Sequence, residues 1–341
     1  MLAAKVILLF LVNRPLVLRR ILYWAFWLLG IALFYLAFRH IPFSDLKQEI
    51  ATLRPVYLVL LLIPSWGGQF LRSWRWRLLL GKETPFFRVY HSLLLGYFVN
   101  LALPRVGEIS RCAAMQSTGG PSFGKALGTV IVERIADLAY LVLVVFIAFY
   151  LQGDVWRSWF MDRVGRPLHE LYSQNQILVL GILFGGLFSL FILFRLSSRW
   201  FSRLGSKATL WMDQLKQGIA SIFSLKILDL MLFILLSASI WTCYFFTTWL
   251  WFLALPAADG ASLGVAFTVM VTGSLVKTLP IQGGGAGAYH LVIGELLVLF
   301  GLGSLSSRTF ALLNHGYQTV FYLLFGGFST LWIAWKRRQQ A

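Results

Sequence analysis

Long, nearly uninterrupted apolar runs constrain this chain more than any other feature of its sequence. A helix needs about 20 mostly apolar residues to cross the hydrocarbon core of a bilayer. Only 13% of the 341 residues are charged, against roughly 25% in soluble domains. We therefore predict an all-α polytopic membrane protein with roughly six to eight transmembrane helices. The runs are Ile21–Phe38, Val56–Ile63, Tyr140–Leu151, Ile177–Phe194, Ile227–Leu255 and Phe310–Trp335.

The same runs leave little chain for anything outside the membrane. We predict a single integral membrane domain over residues 1–341, with no soluble catalytic domain. Residues 1–20 are predicted to be a cytoplasmic interfacial segment, because basic residues flank a short apolar run and no small-residue cleavage site follows. The sequence contains no nucleic-acid-binding motif and no cysteine or histidine cluster with metal-ligand spacing. We therefore expect no nucleic acid, no metal and no cofactor.

The distribution of basic residues predicts the topology. The net charge is +17, and basic residues of membrane proteins collect in cytoplasmic loops. This rule puts both termini in the cytoplasm and makes segments 72–88 and 195–226 cytoplasmic loops. A complete crossing by residues 89–104 would instead put 195–226 outside. We therefore expect a re-entrant segment near 89–104.

Two stretches with similar sequences interrupt the apolar pattern, Phe98–Arg111 and Leu275–His290. Each contains Leu-Pro followed closely by glycine, and such residues break helices. Matching broken segments in two halves of a chain are typical of transporters that bind substrate at a repeat interface. We predict broken or re-entrant segments near 89–104 and 275–303, in an inverted repeat with halves of about 21–151 and 177–335. Chance similarity is the alternative. The residues assigned to the breaks are Pro104, Gly107 and Pro280.

The glycine run after the second proline predicts the start of a helix. Exposed N–H groups at such an end attract an anion such as a phosphate. Close helix packing through small residues is the alternative, and the two are compatible. The residues are Gly283, Gly284, Gly285 and Gly287.

Charged residues near the first break are candidates for binding a headgroup. Arg105, Glu108 and Arg111 are spaced by three, so on a helix they would share one face. Two guanidinium groups around one carboxylate suit a phosphate, with Glu108 orienting an arginine. An interfacial cluster whose side chains only reach toward water is the alternative.

A second group of charges opens the apolar run that ends at Leu151. Glu133 and Asp137 are one helical turn apart, with Arg134 between them. The two carboxylates could bind a cation, share a proton, or pair with Arg105 or Arg111. A structural ion-pair lock is as well supported as a proton relay.

Five further residues are weaker candidates. Lys277 and His290 lie at the second break and are included among the candidate substrate-binding residues. Asp229 is interpreted as a helix cap, and no role is assigned to Glu295 or His315. The chain has no nucleophile elbow, no HExxH and no phosphate-binding loop with its lysine. We therefore assign no catalytic residues and predict that the protein is not an enzyme.

Three motifs resemble those of a known family. The motifs are Pro104–Arg111, Glu133–Asp137 and Pro280–His290, and their order around the spans also matches. The chain resembles the flippase-like integral membrane family typified by the transmembrane domain of lysylphosphatidylglycerol synthase. The resemblance implies a bacterial inner-membrane protein that moves an amphipathic lipid between leaflets. It assigns the site to Arg105, Gly107, Glu108, Arg111, Glu133, Arg134, Asp137, Gly283, Gly284 and Gly287.

The chain departs from the family pattern in two ways. Gln282 stands where many members have proline, and Tyr289-His290 occupies a region where they have glutamate. The family's bifunctional synthases also carry a soluble aminoacyltransferase domain after the membrane part. The sequence ends at Ala341, shortly after Lys336-Arg337-Arg338, so we expect transport without synthesis.

These observations predict a lipid flippase or transporter. Its substrate would be a phosphate-bearing, aminoacylated or glycosylated lipid, and its partners a lipid-modifying enzyme and further copies of itself. Two alternatives stay open: a membrane-embedded lipid-headgroup transferase, and a lipid-binding accessory subunit that does not transport.

Overall fold

The computed structural model describes residues 28–103, 105–153, 206–278 and 285–339, together with Met161, Arg166 and Ser173. For residues 206–212 only the backbone is described. These parts of the chain are helical and contain no strand, which confirms the all-α prediction. Outside the described residues lie the interfacial segment 1–20, the apolar run Ile177–Phe194, Pro104, Pro280, Gly283 and Gly284.

Within each of the four described ranges, the helices follow one another with short connections. A 3₁₀ turn, Pro256–Ala258, and a π-helical stretch, Tyr322–Gly326, interrupt the α-helical pattern of the described ranges. The α-helices are α1 (Leu28–Phe38), α2 (Phe43–Ala51), α3 (Pro55–Leu60), α4 (Leu62–Leu80), α5 (Phe86–Ala102), α6 (Val106–Ser117), α7 (Phe123–Leu151), α8 (Ser206–Ala220), α9 (Ile227–Ala254), α10 (Leu263–Lys277), α11 (Ala288–Leu299), α12 (Ser304–Phe321) and α13 (Gly327–Arg338).

Helices α3 and α4 together run antiparallel to α9 along its whole length. An ion pair marks each end: Arg54 Nη2 lies 2.5 Å from Asp259 Oδ2, and Lys82 Nζ lies 2.7 Å from Asp229 Oδ1. The backbone N–H of Arg54 also donates to the carbonyl of Ala254 at the end of α9. This pair of long helices is the frame on which α7 packs.

The first broken segment is a tight helical hairpin. Helix α5 ends at Ala102 and α6 begins at Val106, and the two helices fold back on each other at Gly96 and Gly107. A Cβ at Gly107 would lie 2.0 Å from the carbonyl oxygen of Gly96. Only a residue without a side chain lets the two backbones approach this closely. The expected break near 89–104 is therefore a hairpin, as a re-entrant segment requires.

The second broken segment has the same plan. Helix α10 ends at Lys277 and α11 begins at Ala288, and the Tyr289 ring packs so closely on Gly273 that a Cβ there would lie 2.7 Å from it. Gly287 has φ +83 and approaches the backbone of α1, where its Cβ would lie 2.2 Å from the carbonyl oxygen of Gly30. This end of α11 is thus closely packed. The repeat halves of about 21–151 and 177–335 stay a prediction.

Apolar side chains cover the outside of the long helices. Among the described residues, α9 is long and apolar enough by itself to cross a membrane. A second stretch, α2 followed by Pro55–Leu80 (α3 and α4), is also long and apolar enough but bends by 84°. Large exposed apolar residues such as Phe146 and Leu228 lie on α7 and α9. A bilayer would shield these side chains from water.

The close approach of the first hairpin generates a stability prediction. We expect Gly107→Ala to lower the stability of the folded protein by about 1–3 kcal/mol, because the new methyl overlaps the Gly96 carbonyl. Thermal unfolding of the purified protein in detergent measures the change.

Gly316→Ala is the matched control. Gly316 lies within α12, and a Cβ there meets no atom within 4 Å. Because alanine favours helix more than glycine does, this variant should be neutral or slightly stabilising. Equal melting temperatures for the two variants would contradict the packing of the hairpin.

Candidate functional site

Two buried carboxylates on α7 lie at the centre of the site. Glu133 and Asp137 are one turn apart, and each lies beside a guanidinium group from another helix. Arg111 Nη2 of α6 is 2.7 Å from Glu133 Oε2. Arg75 Nη2 of α4 is 2.7 Å from Asp137 Oδ1 and 3.5 Å from Glu133 Oε1. The carboxylates thus join three helices through one set of ion pairs.

Two further arginines complete this set on Asp137. Arg72 Nη1 lies 3.3 Å from Asp137 Oδ2, and Arg134 Nη2 lies 3.1 Å from the same oxygen. Four guanidinium groups therefore face two carboxylates, which leaves an excess of positive charge. We call this set the arginine–carboxylate network: Arg72, Arg75, Arg111, Arg134, Glu133 and Asp137.

Aromatic rings and hydroxyl groups support the buried arginines. The guanidinium group of Arg111 lies 4.4 Å from the ring centroid of Trp76, whose indole N–H donates to Thr129 Oγ1 at 2.9 Å. Arg72 donates to the hydroxyl of Tyr244. Cation–π contacts and additional hydrogen bonds offset part of the cost of removing these charges from water. The side chains of Arg75 and Glu133 are fully buried.

A cleft between α5, α6 and α7 opens onto this network. Arg111 reaches it from the buried side, while Arg134 is 42% exposed. Arg111 Nη1 is buried and has no hydrogen-bond acceptor among the described residues. A buried donor without an acceptor is costly, so it marks a place where a ligand or water would bind favourably. The α5–α7 cleft is lined by Leu93, Gly96, Tyr97, Asn100, Gly107, Glu108, Arg111 and Arg134.

Glu108 lies in the cleft but does not orient an arginine. Its Oε2 accepts a hydrogen bond from the Asn100 amide at 3.4 Å, and no ion pair to it occurs within the described part of the chain. Asn100 Oδ1 accepts from the backbone N–H of Gly107 at 2.7 Å. These contacts tie α5 to α6 and leave Glu108 as a hydrogen-bond acceptor facing the cleft.

The expected common face of Arg105, Glu108 and Arg111 does not form. Helix α6 begins only at Val106, and Arg105 precedes it with φ +66, in the left-handed region. Arg105 instead donates to the backbone carbonyl of Thr278, at the end of α10. Spacing arguments assume a continuous helix, so they fail at this residue. The contact shows that the two broken segments meet.

Lys277 and His290, the candidate residues at the second break, contact residues other than those of the arginine–carboxylate network. Lys277 Nζ lies 2.5 Å from Gln318 Oε1 and 4.8 Å from the Tyr289 ring centroid. The buried His290 accepts a hydrogen bond from the backbone N–H of Gly287 through Nδ1. This bond caps the start of α11, so His290 has a packing role here. Lys277, His290 and Gly287 do not line the α5–α7 cleft.

Three of the weaker candidates are also accounted for. Asp229 pairs with Lys82, and Glu295 Oε1 lies 2.8 Å from Arg308 Nη2. The ring of His315 lies 5.0 Å from that of His290. No group of histidine, cysteine or acidic residues suited to a metal ion occurs in the described ranges.

Sequence reasoning missed Arg72 and Arg75. The positive-inside argument assigned both to a cytoplasmic loop at 72–88, but they lie within α4 and are buried. Two signals pointed the other way. The arginines are three residues apart, with Trp74 between them, which puts them on one helical face. Two carboxylates in an apolar helix also require positively charged partners.

The network generates a second stability prediction. Glu133→Gln removes the charge that faces Arg111 and Arg75, and breaking a buried pair costs about 3–5 kcal/mol. We expect a large fall in the melting temperature of the purified protein. Asp259→Asn is the control, because its pair with Arg54 is exposed and is worth about 1 kcal/mol or less. Similar effects in both variants would refute a stabilising role of the network.

Comparison with known families identifies the chain. The model of the family described as lysylphosphatidylglycerol synthase TM region matches residues 15–326. No curated protein and no solved structure matches the chain. The matched range contains both hairpins and the whole arginine–carboxylate network, which confirms the resemblance seen in the sequence motifs. The chain is therefore a membrane protein that belongs to the lysylphosphatidylglycerol synthase TM region family, a family related to lipid modification or transport.

Proposed function

We propose that this protein moves a lipid with an anionic headgroup between the leaflets of the membrane. The observation that carries the proposal is Arg111 Nη1, a buried donor that lines the α5–α7 cleft and has no acceptor among the described residues. A phosphate oxygen would satisfy this donor. In a membrane, the most abundant source of phosphate is the lipid headgroup.

The chemistry of the cleft suits a phosphate that carries a polar substituent. Arg111 and Arg134 supply guanidinium groups, which bind phosphate oxygens through charge-assisted hydrogen bonds. Glu108 and Asn100 supply oxygens that accept hydrogen bonds from the hydroxyl or amino groups of a headgroup. The cleft thus offers donors for the phosphate and acceptors for the group attached to it.

The surface beside the cleft favours lipid over a soluble anion. Arg134 is partly exposed on α7, and its neighbours Ile135 and Leu138 are 62% and 60% exposed. An amphipathic molecule could therefore place its headgroup against Arg134 while its tails stay in the apolar environment along α7. A free anion would gain nothing from this apolar surface.

Glu133 and Asp137 act as positioning residues in this proposal. Each carboxylate lies 2.7 Å from a guanidinium nitrogen, and such a pairing fixes the orientation of Arg111 and Arg75. Of the roles considered for the carboxylates, we favour the ion-pair lock over the proton relay, because both carboxylates are paired with arginines.

The same proposal includes the location, the topology and the partners of the protein. The protein would act in the bacterial inner membrane with both termini in the cytoplasm, as the positive-inside rule predicts. It would transport without catalysing a reaction. A lipid-modifying enzyme would supply its substrate, and self-association is part of the same hypothesis.

The test is lipid exchange in proteoliposomes. Headgroup-labelled phosphatidylglycerol would be reconstituted with the protein, and an impermeant quencher would report the protected fraction over time. We expect exchange faster than in empty vesicles. Arg134→Gln should slow it by about tenfold or more, because a charge-assisted hydrogen bond to phosphate is lost. Arg134 is partly exposed, so this variant should fold.

Arg54→Gln is the matched control. It also removes one arginine from an ion pair, but that pair lies at the far end of the α4–α9 frame, and exchange should stay unchanged. No exchange by folded wild-type protein would overturn the proposal. A donor-dependent change in lipid mass would then indicate a transferase. If the Arg105→Ala, Arg111→Ala double variant still replaced the wild-type protein in a complementation assay, the result would indicate an accessory subunit.

A further inference from the structure

The place where the two hairpins meet carries positive charge that no carboxylate of the described residues balances. Arg105 reaches from the first hairpin to the carbonyl of Thr278, and Lys277 is the residue directly before Thr278. We call Arg105, Lys277, Thr278 and Gln318 the hairpin junction. Among the described residues, Lys277 Nζ donates a hydrogen bond to the neutral side chain of Gln318, at 2.5 Å. No ion pair to Arg105 or Lys277 occurs within the described part of the chain.

The junction is separate from the α5–α7 cleft. Arg105 lies before the first residue of α6, whereas Arg111 lies within that helix. Neither Arg105 nor Lys277 lines the cleft. Lys277 also lies over the face of the Tyr289 ring, 4.8 Å from its centroid. These contacts orient Lys277, and no carboxylate of the described residues pairs with its charge.

The backbone at Arg105 supports a functional reading of this junction. Arg105 is the one residue other than glycine with positive φ among the described residues. Such strained conformations persist only where the surrounding structure imposes them, and they cluster at functional sites. Here the strained backbone directs a guanidinium group from the first hairpin to the end of the second.

We propose that the hairpin junction is a second anion-binding site, in which Arg105 and Lys277 bind the phosphate of a lipid headgroup. The proposal rests on the function proposed above as regards the lipid, since a phosphate group is the chemistry that the two sites share. A headgroup would contact the arginines of the cleft and the cations of the junction at different stages of its passage. Arg105 directly precedes α6, and α6 supplies Gly107, Glu108 and Arg111 to the cleft, so the two sites are neighbours along the chain.

Binding of phosphatidylglycerol with a fluorescent tail to the detergent-purified protein tests the junction. Lys277→Gln should weaken binding by about tenfold, and Lys277→Arg should restore most of it. Gln318→Glu is the sharper variant, because it keeps the shape of the side chain and places a carboxylate beside Lys277. It should weaken lipid binding as Lys277→Gln does, since the new carboxylate neutralises the lysine.

A purely structural lysine gives a different result. Gln318→Glu would then strengthen the contact with Lys277, raise the melting temperature and leave lipid binding unchanged, which would overturn the proposal. Lys226→Gln, at an exposed lysine before α9, controls for the general loss of one positive charge. If Lys226→Gln lowered lipid binding as much as Lys277→Gln does, the result would also overturn the proposed junction site.

Two further measurements complete the test. The first distinguishes a membrane lipid from a soluble anion, and the second distinguishes failure of the junction site from failure of the proposed transport function. Glycerol phosphate that competes with the labelled lipid at equal concentration would assign the junction to a soluble anion, and no competition would assign it to a membrane lipid. Binding that depends on Lys277 in a protein without lipid exchange would support the junction and overturn the transport function. Exchange lost in Arg134→Gln but unchanged in Lys277→Gln and Gln318→Glu would overturn the junction alone.

Discussion

The pairing of buried arginines with two carboxylates on α7 is the interaction on which the rest of the structure depends. Charges are expensive inside a membrane protein unless each has a partner of opposite sign. Here the partners come from α4, α6 and α7. The relative positions of these helices therefore follow from electrostatics as much as from apolar packing. Apolar contacts alone would let such helices slide, because lipid tails are as apolar as the side chains.

The excess of positive charge links this arrangement to function. A network made only for stability would balance its charges, whereas this one contains four arginines and two carboxylates. The cleft beside it reaches both a buried arginine and a partly exposed one. The hairpin of α5 and α6 forms one wall, and its close approach at Gly107 brings Asn100 and Glu108 to the same opening. The fold and the candidate site thus share the same residues.

The sequence predicted the features that depend on local chemistry. Apolar runs predicted the helical membrane class, and prolines with glycines predicted the two breaks. It also placed Arg111, Glu133, Arg134 and Asp137 in one site. It failed where the answer depends on distant contacts. Counting basic residues assigned Arg72 and Arg75 to a loop, because a buried arginine and a cytoplasmic one look alike without the partner helix.

The partners of α4 have a consequence for how the protein reaches the membrane. Arg72 and Arg75 are synthesised well before Glu133 and Asp137, yet each arginine in the centre of a lone helix costs about 2.5–3.5 kcal/mol to insert. Until α7 has been made, α4 lacks the carboxylates that neutralise it. The α4 segment is thus poorly suited to enter the bilayer alone and well suited to enter together with α7. We therefore expect the insertion of α4 to depend on the synthesis of α7, which follows it after one intervening hairpin, α5–α6.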